Sequence, residues 1–302
     1  MCLIAWNWQP DSNTPLLLVG NRDEFYARPA EALRWWNGNH VLAGKDLQAG
    51  GTWLGVTRSG RLAALTNYRD IAGAGNPSSA NPSASYPQAR NLQASNLQAD
   101  GAAPSRGELV ADFLKDTLDS RAFLQRLSHR AAQYNPFNLL VFDGKNLLGL
   151  QSRTTQIQTQ IIEMQPGVGA VSNADFHSPW PKLVRLRDQL CAHVNRRSAG
   201  SSTVEAQDRE TLLTMLRNDA IAPDDALPRT GLPLARERAL SAAFITSPDY
   251  GTRASSVVHI GQTEASFTEC RFGPDGALGT QNHRFALRAG LRVQNNDHDD
   301  SR

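Results

Sequence analysis

The sequence predicts an α+β protein built in layers around antiparallel sheets. Short apolar runs come in pairs around turn signals, which is hairpin patterning. Helical periodicity is confined to two blocks, so strands and helices do not alternate as in a doubly wound fold. No Gly-rich phosphate motif, HExxH or GxSxG occurs, so the fold classes built on them gain no support.

The elements follow in order. Leu3-Ile4-Ala5-Trp6 and Leu16-Leu17-Leu18-Val19 flank the turn formers Gln9-Pro10-Asp11-Ser12-Asn13 and read as a buried hairpin. Trp53-Leu54-Gly55-Val56-Thr57 and Leu62-Ala63-Ala64-Leu65-Thr66 flank Arg58-Ser59-Gly60 and read as a second. Residues 71–105 are rich in Ala, Ser, Asn, Gln and Pro and read as a long low-complexity loop, a surface insertion or a lid. Val110, Phe113, Leu114 and Leu118 share a helix face after a Ser105 cap candidate, and Ser120 leads into Phe123, Leu124 and Leu127. Asp143-Gly144 turns a hairpin between Phe137–Phe142 and Leu147–Leu150. Val168–Val171 is a short strand, and Pro181–Arg197 an amphipathic helix with Leu183, Val184, Leu190, Cys191 and Val194 inward. Its Lys182, Arg185, Arg187, Arg196 and Arg197 read as a solvated basic face. Leu212, Leu213 and Leu216 mark another helix, and strands at Ser255–Ile260 and Ser266–Phe272 surround Gly261-Gln262. We expect one domain over residues 1–290 and a polar tail over 291–302.

The 302 residues are 40% hydrophobic and 20% charged, a globular composition. Lys+Arg is 31 against Asp+Glu 29, which offers no basic face for nucleic acid. No apolar run approaches the roughly 20 residues of a membrane span. The N-terminus lacks a basic n-region, so a cytoplasmic, reducing setting is expected. The 3 cysteines, Cys2, Cys191 and Cys270, suit neither a disulfide framework nor a zinc site, and Cys191 and Cys270 read as small core residues. The 7 histidines include no i, i+4 pair, so no metal site is expected.

Cys2 is different. Met1 is commonly removed before a small residue, which would give Cys2 both a thiol and a free α-amine. Their reference pKa values, about 8.5 and 7.7–8.0, suit a nucleophile and a base at neutral pH. The alternative is an ordinary second residue. Asn21-Arg22-Asp23-Glu24 ends the strand that returns beside Cys2. It is either a solvated turn or a charged cluster in which an arginine favours the thiolate and a carboxylate orients the amine. His177 is a surface-loop histidine or a pocket wall near Asn173.

Met1-Cys2, Asn21-Arg22-Asp23-Glu24, Gly50-Gly51-Thr52-Trp53-Leu54-Gly55, Leu65-Thr66-Asn67-Tyr68-Arg69, Pro104-Ser105-Arg106-Gly107, Val171-Ser172-Asn173 and Tyr250-Gly251-Thr252-Arg253, in this order, resemble the NRDE family, that of transport and Golgi organisation protein 2. That family is in turn similar to N-terminal-nucleophile hydrolases of the choloylglycine hydrolase and penicillin V acylase type. The resemblance implies an αββα sandwich, two antiparallel sheets between helical layers. It implies Cys2 as nucleophile on an amide carbonyl, and Asn173 with Asn67 or Tyr68 as the oxyanion site. Arg253 would support the nucleophile. The early hydrolase pattern of Arg, two residues, then Asp falls on Asn21 and Glu24 without a gap, or on Arg22 and Asp23 after a one-residue shift. Thr52-Trp53 itself reads as a hydrophobic anchor first and a substrate wall second. The implied ligands are a small amide, an acyl conjugate or haem, with no required cofactor; the alternative function is a haem or acyl-CoA carrier.

Overall fold

The computed structural model describes residues 2–38, 40–69, 103–153, 159–196 and 206–288. Residues 71–102 of the expected low-complexity loop, the tail at 291–302, Met1 and Arg197 lie outside them. The strands are β1 (Cys2–Trp8), β2 (Leu16–Phe25), β3 (Ala30–Trp35), β4 (Val41–Asp46), β5 (Leu54–Thr57), β6 (Leu62–Asn67), β7 (Phe137–Phe142), β8 (Leu147–Ser152), β9 (Thr159–Glu163), β10 (Gly167–Val171), β11 (Tyr250–Ile260), β12 (Glu264–Gly273) and β13 (Gly276–Ala286). The helices are α1 (Gly107–Lys115), α2 (Ser120–Ser128), α3 (Pro181–Arg196), α4 (Ala206–Leu216) and α5 (Leu234–Leu240).

Strand pairing is antiparallel throughout and makes two sheets, β10-β1-β2-β11-β12-β13 and β3-β4-β5-β6-β7-β8-β9. Side chains alternate across each strand, so each central strand feeds two cores. Ile4, Trp6, Leu16 and Leu18 of the first sheet meet Leu54, Val56, Leu62 and Phe142 of the second. Leu3, Ala5, Leu17 and Val19 point the other way, onto Leu183, Leu186 and Leu190 of α3 and Leu212 and Leu216 of α4. Ala63, Leu65, Leu139 and Val141 likewise cover Leu109, Phe113, Phe123 and Leu124 of α1 and α2. The order of layers is helices, sheet, sheet, helices: the αββα sandwich. Burial on both faces explains the continuous apolar runs, since each buried Leu or Phe contributes about 1.5–3 kcal/mol.

Several local expectations are corrected. Arg106, not Ser105, sits at the α1 N-cap, and it makes no side-chain cap bond. The α2 cap is Asp119, which accepts from the Ala122 N–H at 2.8 Å. Cys191 is exposed, one step round the helix from Leu190, whereas Cys270 is buried as expected. Lys182 belongs to the buried stripe of α3 with Leu183, Leu186, Leu190 and His193, not to a solvated face. Among the described residues no helix is long and apolar enough to cross a membrane.

Candidate active site

Cys2 is the first described residue of β1 and is 7% exposed. Its partner across the ladder is Arg22 of β2. Alternation puts Cys2, Arg22 and Glu24 on the face turned toward the second sheet, and Asn21 and Asp23 on the helical face. Burial pushes the Cys2 thiol up; the positive N-terminus and Arg22 oppose this, while Asp23 and Glu24 add to it. The thiol is therefore protonated at neutral pH and needs a base to become a nucleophile.

The segment after β10 closes one side. Ser172 Oγ lies 3.1 Å from the Cys2 carbonyl oxygen, to which it donates, and 3.3 Å from Asn173 Oδ1. The Asn173 amide, 1% exposed, donates to the Asn67 carbonyl at 2.8 Å, and the Arg69 N–H donates back to the Asn173 carbonyl at 2.7 Å. The Thr66 hydroxyl donates to the Ser172 carbonyl at 2.5 Å, and the Asn138 amide to the Ala174 carbonyl at 2.9 Å. The end of β6 and the Ser172-Asn173 segment are thus sewn together across the two sheets, beside Cys2.

Each residue of the Asn21–Glu24 segment has a distinct environment. Asn21 is fully buried; its amide donates to the Leu216 and Ala243 carbonyls at 2.8 and 2.7 Å and its oxygen accepts from Ser255 at 2.7 Å. Those bonds tie α4 to the sheet and leave Asn21 no role against a substrate. Arg22 reaches Asp46 at 3.3 Å and Glu24 at 3.7 Å, and Arg28 reaches the same Asp46 oxygen at 2.6 Å. Asp23 accepts from Thr252 at 2.8 Å, and the Tyr250 hydroxyl donates to its carbonyl at 3.1 Å. Burial pushes Asp23 up; nearby Lys182 is the main opposing influence. A bulge between Thr252 and Ala254 re-aims Arg253. Its Nη1 donates to the Phe25, Tyr26 and Arg28 carbonyls at 2.7–3.1 Å and its Nε to Phe272 at 3.3 Å. Arg253 therefore holds the turn after β2 rather than touching Cys2. Gly251 is required because a Cβ there would lie 2.6 Å from the Ile245 carbonyl and collide with Tyr26.

The model of the Transport and Golgi organisation 2 family matches residues 1–273 of this chain. The chain belongs to that family. Relatives include a Transport and Golgi organization protein 2 homolog of Bos taurus, 33% identical over 96% of this chain and 100% of its own length. The Homo sapiens homolog is 32% identical over 89% of this chain and 92% of its own. Among solved structures, a C2A mutant of conjugated bile acid hydrolase from Clostridium perfringens is similar at 9% identity and TM-score 0.45, covering 95% of this chain and 92% of that one. An N-acylethanolamine-hydrolyzing acid amidase ortholog from Caenorhabditis elegans is similar at 9% identity and TM-score 0.42, covering 79% and 96%.

In this family member the other candidates fall in different places. The Trp53 ring packs over Gly20 in the inter-sheet core and is 9% exposed, a core anchor at the floor of the site. The Tyr68 ring stacks under Arg153, 3.5 Å from its guanidinium carbon, and its N–H donates to Pro136 at 3.1 Å. His177 is exposed, has a left-handed φ of 64°, and packs on Phe176 and on Trp6, which lies further along β1 from Cys2. Three residues given no role from sequence enter the site. Asp46 binds Arg22 and Arg28. Arg106 lies close enough to Cys2 and Glu24 to feel both. Lys182, 2% exposed, stands near Asp23 and Cys2, with no hydrogen-bond partner for Nζ among the described residues.

Proposed function

We propose that the chain is an N-terminal-nucleophile cysteine amidohydrolase acting on small amides or acyl conjugates. The observation that supports this is the Ser172 bridge, whose hydroxyl lies 3.1 Å from the Cys2 carbonyl oxygen and 3.3 Å from Asn173 Oδ1. With Met1 removed, the Cys2 α-amine takes the thiol proton as Sγ attacks the carbonyl carbon. The developing oxyanion accepts the Asn173 N–H not given to Asn67, an interaction worth about 3–4 kcal/mol of barrier. The C–N bond breaks, and the α-ammonium returns the proton to the leaving amine. Water, deprotonated by the same amine, then attacks the thioester, releasing the acid and the free thiol.

The test is hydrolysis of a panel of N-acyl amides by the purified chain and by C2A. A rate present in the wild type and abolished in C2A supports the mechanism. An equal rate in C2A overturns it.

A further inference from the structure

Arg22 lies opposite Cys2 across the ladder, Arg106 is within electrostatic reach of Cys2 and Glu24, and Arg28 joins the ion pairs of Arg22; among the described residues two of these three arginines have carboxylate partners. Arg22 and Arg28 share Asp46 and Glu24. Arg106 does not. Among the described residues it makes one side-chain hydrogen bond, from Nη1 to the Pro136 carbonyl at 3.1 Å, and no carboxylate there pairs with it. The same carbonyl accepts the Tyr68 N–H, one residue beyond the Asn67 carbonyl that holds the Asn173 amide. One chain of contacts therefore runs from Cys2 through Ser172, Asn173 and Asn67 to the guanidinium of Arg106. The backbone is built to bring Arg106 there: Thr52 N–H donates to the Gly107 carbonyl at 3.2 Å, a contact allowed only because Gly51 and Gly107 lack side chains.

We propose that Arg106 is a specificity residue that binds an anionic oxygen group of the substrate, a carboxylate or a phosphate, beside Cys2. This rests on Cys2 being the reacting thiol. Among the described residues the ion pairs of Asp46 and Glu24 go to Arg22 and Arg28 and leave Arg106 without one, and a half-buried guanidinium in that position gains most from an incoming anion. Its planar fork suits both oxygen acids. Burial lowers the Arg106 pKa, Cys2 and Glu24 oppose this and Arg28 adds to it, so the net environment is unfavourable and an anion at that spot relieves it.

The experiment compares alkylation of Cys2 by iodoacetate and iodoacetamide, read by peptide mass spectrometry, in the wild-type chain, R106Q and R106K. Both reagents report the thiolate, so their ratio cancels any effect of Arg106 on the thiol itself. The expected iodoacetate preference at Cys2 is on the order of fivefold greater in the wild type than in R106Q, with R106K between them. Exposed Cys191 is the internal control and keeps one ratio in all three. Protection by acetate or by inorganic phosphate at matched ionic strength tells the two sources apart. An unchanged ratio in R106Q overturns the proposal, even if both rates fall together. If Cys2 reacts with neither reagent, the nucleophile reading fails separately. Arg106 is then judged by melting temperature: a rise with phosphate or acetate in the wild type but not R106Q supports anion binding, and equal rises overturn it.

Discussion

Replacing Gly51 with alanine tests how the Gly-Gly-Thr-Trp segment builds the site. A Cβ on Gly51 would lie 2.6 Å from Gly107 O and 2.8 Å from Glu108 N, with the Gly107 carbonyl carbon closer still. All three atoms are backbone, so no side chain can rotate away. Ordinary contacts lie near 3.5 Å, so the N-terminus of α1 has to withdraw by roughly 1 Å. Such overpacking costs about 1–3 kcal/mol, and stretching the Thr52–Gly107 hydrogen bond adds about 0.5–1.5. The expected loss is about 2–4 kcal/mol, or about 5–10 °C in melting temperature for a chain of this size. Gly50 is the control: its φ is +76°, but nothing lies within 4 Å of its Cβ position. G50A therefore pays only backbone strain, about 1 kcal/mol. Thermal denaturation of both variants separates the two causes. Because the displaced helix carries Arg106, G51A also lowers the iodoacetate preference at Cys2. A G51A loss no larger than that of G50A refutes the reasoning.

Other predictions follow from neighbouring contacts. Asp23→Asn leaves buried Lys182 without an opposing charge and is expected to cost about 3 kcal/mol; adding Lys182→Met recovers at least about 1 kcal/mol, and strict additivity in denaturant titrations contradicts the coupling. Burial raises the Glu269 pKa, with the Leu33 N–H, Arg271 and Arg22 opposing. The benefit of its neutral form is full below the unfolded value of about 4.3 and is lost as pH rises through the raised folded value. Glu269→Gln should therefore melt higher than wild type at pH 8 and lose that advantage toward pH 4; a gap independent of pH refutes this. Asn173→Ala should lower kcat about 100- to 1000-fold on any amide the wild type hydrolyses, and a kcat within a few-fold of wild type removes Asn173 from the oxyanion role. Haemin titration separates the carrier function: a Soret shift lost in Cys2→Ser favours haem on the thiol, while the amidohydrolase account expects the same spectrum with and without Cys2.

The sandwich was legible because its central strands are buried on both faces and read as unbroken apolar runs. Edge strands hid for the opposite reason. β13 is exposed along nearly its whole length and is defined by pairing with β12, not by its own pattern. β3 and β9 are half-exposed edges, and α5 is seven residues long. In α3, charge hid position: Lys182 reads as basic surface until the Leu183, Leu186, Leu190 stripe is extended back to it. In the site, Cys2 stood out by its place after Met1, Asn67 and Asn173 came from the family resemblance, and Ser172 links the Cys2 carbonyl to Asn173, whose amide reaches the Asn67 carbonyl. Asp46 carries no sequence signal of a role, because its partners lie far away in the chain; Arg106 stands in a motif of the resemblance, which gave it no role. Asn21 looked substrate-binding and Arg253 catalytic by motif, yet backbone carbonyls take the Asn21 amide and the Arg253 Nη1 and Nε donors.

The central claim is that Cys2 acts with its own α-amine. Intact-mass spectrometry of the untagged protein, purified from its own cells, tests this without any substrate. The account predicts a mass one methionine lower than the full translation, with Cys2 at the N-terminus. Quantitative retention of Met1 would block the amine and contradict it.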